Sequence, residues 1–533
     1  MAAPQRLAGI ILLTLLCSCG GGGGGGGSAG GSSAPPFTSV TQIEVSQPST
    51  YAADCSGITQ VGTLYPDTAL EPSLVVNPTN SANLVAEWQQ DRWSNGGSQA
   101  LNLAASFDGG TTWTLGNAAF SICSGGSSSN AGNFARASNG WLTVDPNGVV
   151  YALSLSFTGP SLEPGSTSGQ LVARSTDGGL TWSSPVALIN DSSDFFDDKG
   201  SITADPTDAN YVYAVWDRIS GNFGPSYFAM TAAAGASWQS AVSIYDPGEG
   251  NQTIANQIVV LPGDILLDIF TELDDFNAAA PSAALRETQS TDHGMTWSVP
   301  VTITSVESVG TTEPLGGEQV RDAADLFAAS VAADGRIYIV WQDARFSGGK
   351  YDGIALTQSG DGGATWSQPV QVNADTATPA FTPTVNVSAD GLIAVTYYDF
   401  RNDVVPGEGL IDCWMVTSSD GVSFQESHLS GPFNLDLAPY AAGEGLFLGD
   451  YQSLRSSGGG AFLPFYTQTP ASGSQLRSGV FLDFPPVSTA AAASAVRFRA
   501  MAAPLGATLD AAARQRVAQS IRRVRAARLQ RGR

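Results

Sequence analysis

Histidine is nearly absent from this 533-residue chain, which has only His293 and His428. There is no CxxC pair and no His-rich cluster, so zinc centres and histidine-based catalytic triads have almost no material here. Cysteine is also scarce, five residues in all. Cys17 and Cys19 lie close to the N-terminus, and Cys413 sits in an apolar, strand-like run that suits a buried thiol. Cys55 and Cys123 are left to pair in an oxidising compartment, although sequence alone does not bring them together. Lys and Arg number 24 against 48 acids, a formal net charge of −24. So acidic a body argues against nucleic acid as a partner. No segment beyond the N-terminus is apolar for long enough to cross a bilayer.

What is present begins with Arg6, the apolar run Leu7 to Leu16, and then Leu16-Cys17-Ser18-Cys19. A positive start, a short apolar stretch and small residues make a secretory signal rather than a spanning helix. The run resembles the bacterial lipobox. That resemblance implies a signal over residues 1–18, lipid on the Cys19 thiol and a place on the cell envelope, at the outer membrane or cell surface. An unmodified Cys19 and a secreted protein is the plainer alternative. Residues 19–37 carry the unbroken run Gly20 to Gly27 and then Ser, Ala and Pro, the composition of a flexible tether. Residues 487–533 are rich in Ala and Arg. From Arg497 to Arg533 there are ten Arg and one acid, Asp510, a net of +9, so the remainder carries −33. Leu509, Ala513, Val517, Ile521 and Val524 fall at helical spacing. The tail therefore reads as a cationic amphipathic helix facing anionic lipid or the acidic body, or else as a frayed end.

Between tether and tail the chain repeats itself. Ser106-Phe-Asp108-Gly-Gly110-Thr-Thr112-Trp113 returns at Ser175–Trp182, Ser290–Trp297 and Ser359–Trp366. Two decayed copies fill the gaps: Thr231–Trp238, with Ala233 in place of Asp, and Ser418–Phe424, one residue short. The six starts are separated by 69, 56, 59, 69 and 59 residues, about the length of a four-stranded propeller blade. The pattern S-x-D-x-G-x-T-W resembles the Asp box, or bacterial neuraminidase repeat. Its chemistry is structural: a short Asp accepts turn N–H groups, Gly takes a conformation that a Cβ resists, and Trp packs into the blade. The fold expected is all-β, a propeller over residues 38–486 with Asp-box turns and four-stranded antiparallel blades. Seven blades are favoured, with Thr38 to Val45 completing a last unit over Tyr451 to Phe484; six is the alternative.

In a propeller the first strand begins, and the second ends, on one face around the channel. Those positions hold Glu71, Arg136, Lys199, Arg321, Asp450 and Tyr451, and, at second-strand ends, Arg92, Arg218, Arg345 and Arg401. Six of the eleven Arg between tether and tail lie there, which points to an anionic or polyhydroxyl ligand such as a glycan, bound by a monomer. Equally, an Asp just before an Arg makes a staple between strands. The acid-rich runs Asp191–Asp198 and Glu272–Asp275 offer carboxylates to calcium, though neither has the spacing of a known loop and solvated acids fit them better; no other metal or cofactor is indicated.

The boxes, with Glu71-Pro-Ser-Leu-Val-Val-Asn77-Pro78 and Phe447-Leu-Gly-Asp450-Tyr451, resemble the sialidase-like superfamily, and within it exported proteins labelled exo-α-sialidase, over about residues 60 to 485. The resemblance implies that the boxes join third and fourth strands, away from the active face. It also implies three Arg on a sialic acid carboxylate, a Tyr–Glu nucleophile pair and an Asp that handles the proton. Carried over, Tyr451 beside Asp450 is the nucleophile candidate, with Glu71 in the same catalytic set, and Arg218, Arg345 and Arg401 form the carboxylate grip; Arg136, Arg321 and Lys199 join them as ligand contacts from their place on that face. The family's Arg-Ile-Pro motif is missing: its place reads Glu71-Pro72-Ser73. A glycoside hydrolase, a glycan- or protein-binding propeller and an envelope scaffold are therefore all expected alternatives.

Overall fold

Short runs of Val, Ile, Leu and aromatic residues, cut by Asn-Pro, Asp-Pro and Asp-Gly turns, form antiparallel strands. The first group is Leu64–Val76, Leu84–Trp93, Ser98–Ser106 and Thr114–Gly116, each bonded to the next. The computed structural model describes residues 41–274, 280–457, 461–470, 477–485, 496–503, 509–529 and 531. Within them the four-stranded pattern returns from first strands Arg136–Val144, Phe196–Ala204, Gln252–Leu261, Phe327–Val331 and Ala380–Val387. A last sheet is composite. Ser453–Ser456, Phe462–Gln468 and Gly479–Phe484 give three strands, and Thr41–Glu44, from far earlier in the chain, pairs on as the fourth. All described residues belong to one unit, Thr38–Arg533. The seven first strands touch in chain order and the last touches the first, so the all-β fold is a β-propeller.

An innermost strand has no backbone partner on its channel side, yet its N–H and C=O groups need one. Polar side chains of a neighbouring sheet supply it. Ser73 Oγ accepts Leu142 N–H at 3.0 Å, and Thr143 Oγ1 accepts Ala204 N–H at 2.9 Å. The Thr203 hydroxyl donates to Ile258 O at 2.8 Å, and Gln257 bonds both N–H and C=O of Ala329. Ser330 Oγ accepts Val387 N–H at 3.2 Å, and the Gln452 amide donates to Thr382 O at 3.0 Å. Ser453 Oγ accepts Leu74 N–H at 3.1 Å, which returns the circuit to the first sheet. Trp88, Trp216 and Trp341 are fully buried between the sheets.

The boxes do the work that their composition implies. Ser106 Oγ donates to Asp108 Oδ1 and accepts Gly110 N–H, both at 2.8 Å. Asp108 accepts the Thr112 hydroxyl at 2.7 Å and its N–H at 2.9 Å. Those bonds, with the one from Ser106, hold the Asp108 carboxyl down at about 2. The same Asp–Thr bonds recur at Asp177, Asp292 and Asp361. In the copy that lacks Asp, Thr231 Oγ1 alone accepts the N–H groups of Ala233 and Gly235, at 3.1 and 3.2 Å. The second glycine faces the preceding sheet. A Cβ on Gly110, at φ 97°, would lie 2.5 Å from Leu482 Cδ2, and one on Gly179 would lie 2.8 Å from Val85 Cγ2. Each box thus locks its sheet to its neighbour.

Past the last sheet, Val496–Arg499 and Met501–Ala502 add edge strands to the sixth and fifth sheets. The helix Ala511–Leu529 follows, capped by Asp510, whose Oδ1 accepts Ala513 N–H at 2.7 Å. No helix among the described residues is long and apolar enough to cross a membrane. Cys55 and Cys123 form a disulfide and Cys413 is buried. The signal, Cys19 and the tether lie outside the described residues.

Candidate functional site

Each first strand ends at a turn opened by Asn77, Asp145, Asp205, Leu261, Ala332, Ser388 or Ser457. Six residues before each turn stand Glu71, Asn139, Lys199, Ala255, Leu326, Thr382 and Tyr451, a ring of equivalent positions. Five of them lie in the left-handed region: Glu71 at φ 54°, Asn139 at 51°, Lys199 at 41°, Ala255 at 62° and Thr382 at 49°. In those five sheets the pairing with the second strand slips at the same place, a repeated β-bulge. For a residue with a Cβ this conformation costs about 1–2 kcal/mol, and bulges re-aim side chains, here around the channel.

The channel encloses a cavity of about 440 Å³. At one end its wall is Asn139, Lys199 and Tyr451, with the Trp141 and Tyr451 rings 5.5 Å apart. Toward the Asp-box end, two residues before each turn, the ring reads Val75, Thr143, Thr203, Val259, Ser330, Asn386 and Arg455. Arg455 is its one charged member. The guanidinium donates to Leu454 O at 2.9 Å, and burial pulls its pKa down to about 10. Among the described residues no carboxylate pairs with it, and Asn139 Nδ2 and Asn386 Oδ1 are buried without a partner.

Over the other end lies a layer of charge. A small sheet pairs Val320–Arg321 with Gly445–Phe447 and so carries Arg321 across the mouth. Its guanidinium donates to Asp450 Oδ1 at 3.0 Å, Asp450 Oδ2 at 2.6 Å and Glu444 at 2.9 Å, above the Phe447 ring. Lys199 closes on the same Asp450 carboxylate. Burial alone would raise the Asp450 pKa; Arg321 and Lys199 outweigh it and hold the carboxyl well below its usual range. Glu71 Oε1 accepts Asp450 N–H at 3.3 Å, and burial and Asp450 push the Glu71 carboxyl up. Gly449, at φ 115°, leaves no room for a side chain: a Cβ would lie 2.9 Å from Glu71 N. Gln89 donates to Glu71 and accepts from Arg92 at 2.8 Å. The Tyr451 hydroxyl donates to Gly140 O at 3.0 Å; burial, Glu71, Glu87 and Asp450 push its pKa well up.

The mouth therefore gathers Glu71, Lys199, Arg321, Asp450 and Tyr451. The other candidates stand apart from it, each engaged, and none lines the cavity. Arg136 is buried and donates to Gln60, Val61 O, Asn95 and Gly96 O. Arg218 grips Asp191 at 2.6 and 2.7 Å and lies over Phe195. Arg345 pairs with Asp343, and Arg401 with Asp399 and Glu426. Of the acid-rich runs, Asp197 accepts from Trp216, Asp198 faces the C-terminal helix, and Glu272 accepts from Tyr245 and pairs with Arg286; Asp275 lies outside the described residues. Among the described residues no group of three or more His, Cys, Asp or Glu is placed to hold a metal ion. Sequence reasoning passed over Asn139, Ala255, Thr382 and Arg455. The fixed offset from each turn would have found them.

Comparison with protein-family models and with curated sequences finds no match. Among solved structures, a protein of unknown function from Dyadobacter fermentans DSM 18053 is 15% identical, with a TM-score of 0.42 over 69% of this chain and 94% of that one. The alpha-L-arabinanase of Penicillium chrysogenum, complexed with arabinobiose, is 13% identical, with a TM-score of 0.43 over 84% and 98%. The sialidase of Trypanosoma rangeli, in complex with the inhibitor DANA, is 14% identical, with a TM-score of 0.39 over 63% and 54%. At this level of similarity, function has to be argued from the chain's own side chains.

Proposed function

We propose that this chain is a glycan-recognising propeller that binds an acidic sugar in its central channel. The observation that carries the reading is Arg455, a half-buried guanidinium without a carboxylate partner among the described residues, on the wall of a cavity of about 440 Å³. A sugar carboxylate would supply that partner. Trp141 and Tyr451 offer ring faces, and the Asn139 and Asn386 amides have unused hydrogen-bonding capacity for hydroxyls. Lipid on Cys19 would hold the propeller at the envelope surface behind its tether. Calorimetry on the full chain with glucuronic acid, N-acetylneuraminic acid and glucose tests the reading. Arg455→Met should weaken the acidic sugar by about 10–100-fold, since a charge-assisted hydrogen bond contributes about 1.5–3 kcal/mol. The reading fails if glucose binds as well as the acids, or if Arg455→Met changes nothing.

One observation favours a second reading, hydrolysis with Tyr451 as nucleophile and Glu71 and Asp450 beside it: the Glu71 carboxyl is near enough to the Tyr451 hydroxyl to raise its pKa. Two features weigh against it. The surrounding acids keep the proton on Tyr451, and Asp450, locked as a carboxylate by Arg321 and Lys199, has none to give. Release of 4-methylumbelliferone from its sialoside, abolished in Tyr451→Phe, would decide for hydrolysis.

A further inference from the structure

The ring of sheets is complete without the end of the chain, because Gly479–Phe484 and Thr41–Glu44 already close it. The helix Ala511–Leu529 is an addition to a finished fold, and it leads to the channel mouth. It starts at the loop that holds Gly349, whose carbonyl accepts from Arg516 at 2.9 and 2.6 Å. On its apolar side Val517, Ile521 and Val524 pack on the fourth and fifth sheets, and Ala513, Ala518 and Ile521 are buried. At its end Leu529 reaches the cluster of Phe157 and Phe196 in the second and third sheets.

The last turn carries the strongest contacts. Arg528 is 2% exposed, between Asp198 and Asp217, which are each 0% exposed. It also donates to Gln252 Oε1 at 3.1 Å and Thr253 O at 3.3 Å, so every arm of its fork is engaged. Arg531 donates to the other oxygen of Asp198 at 2.6 Å. The seat has acceptors to spare, for Asp217 Oδ1 and Asp325 Oδ2 are buried without a partner among the described residues.

We propose that the channel mouth is a binding site for the guanidinium groups of a cationic helix, and that the chain's own C-terminal helix is its occupant, closing this end of the channel. Apolar packing seats the helix along its length, and charge fixes where its end lies. A buried ion pair of this kind specifies a position more than it adds stability, and a planar fork fits two carboxylates where an ammonium does not. The site asks for arginine, and the tail presents it.

Hydrogen exchange and thermal unfolding of the full chain test this, with wild type beside Arg528→Ala. The variant should lose helix protection at residues 513–529 by at least about tenfold while the sheets keep theirs. Ethylguanidinium at millimolar concentration should then raise the variant's Tm saturably and leave wild type, whose seat is filled, unchanged. Equal rescue by ethylammonium at the same ionic strength would overturn the proposal, as would helix protection unaltered in the variant. If Arg528→Ala does not fold, Arg528→Lys keeps the charge and removes the fork. It too should lose helix protection, and wild-type protection in it would overturn the proposal.

Discussion

Replacing Asp450 by Asn keeps the shape of the side chain and removes the charge on which the mouth is built. Asp450 is 4% exposed, Arg321 9% and Lys199 6%, so water does little to screen them. Breaking a buried pair from one side costs about 3–5 kcal/mol. Here the lower end applies, because Arg321 keeps Glu444 at 2.9 Å and the new amide oxygen still accepts one bond. We therefore expect Asp450→Asn to lower the unfolding free energy in urea by about 3 kcal/mol at pH 7. The pH dependence has a definite sign. The folded carboxyl is held below its unfolded value of about 3.9, so its stabilisation is complete above that pH and is lost as pH falls toward the folded value. The gap between wild type and variant should stay level from pH 5 to 8 and narrow below about 4. Taking the difference matters, because Asp325, Asp352 and Asp483 are pushed the other way, to about 7, chiefly by burial, and each loses stability as pH rises from about 4 toward 7. Sulfate should restore part of the loss in the variant, standing in for the missing carboxylate. A loss under about 1 kcal/mol, or a gap that widens in acid, would refute the reasoning.

Four further substitutions probe the scaffold. Gly109→Ala and Gly110→Ala alter neighbours in one Asp box, but a Cβ on Gly109 meets nothing within 4 Å while one on Gly110 lies 2.5 Å from Leu482. By urea unfolding the first should cost about 1–2 kcal/mol in backbone strain and the second about 1–3 kcal/mol more; equal costs would contradict sheet-to-sheet locking. Ala255→Gly, usually a destabilising change, should be neutral or stabilise by up to about 1 kcal/mol, because it relieves φ 62° at the bulge; a clear loss of Tm would contradict that strain. Cys55→Ser should lower stability by about 2–4 kcal/mol, since the disulfide spans 68 residues, and an unchanged unfolding midpoint would show that the bond adds nothing.

The Asp boxes are legible in sequence because every bond they need lies within eight residues, as the Ser106, Asp108 and Thr112 set demonstrates. The composite last sheet is legible by counting, since the final unit has three strands and the segment ahead of the first unit has a fourth. The offset from each turn locates the bulge ring, but its left-handed backbone is hidden for a physical reason. It is a conformation and not a composition, shared by Glu71, Asn139, Lys199, Ala255 and Thr382, which have no chemistry in common. The arginines show a different limit. The place of Arg401 at a second-strand end can be read, but it is set by Glu426, on the fourth strand of its sheet, and Arg528 in the C-terminal helix is set by Asp217, 311 residues away. Partners that distant are fixed by tertiary packing, and local pattern carries no trace of them.

The two ends of the channel make opposite demands on a ligand. At the mouth Lys199, Arg321, Arg528 and Arg531 each have a carboxylate, and the helix lies over them, so an acidic sugar arriving there would have to displace Asp450 from Arg321 and Arg528 from Asp217. Toward the Asp-box end stands the Arg455 guanidinium, unpaired among the described residues. If the sugar passes that end, the tail has no part in its route, and the association rate of glucuronic acid should be the same in wild type and Arg528→Ala. If it passes the mouth, the wild-type rate is limited by the fraction of time the helix is away, and removing the Arg528 anchor should raise it by at least about tenfold. Stopped-flow tryptophan fluorescence, with Trp141 on the cavity wall as reporter, separates the two. We expect equal rates. A faster variant would refute access from the Asp-box end and make the tail a gate.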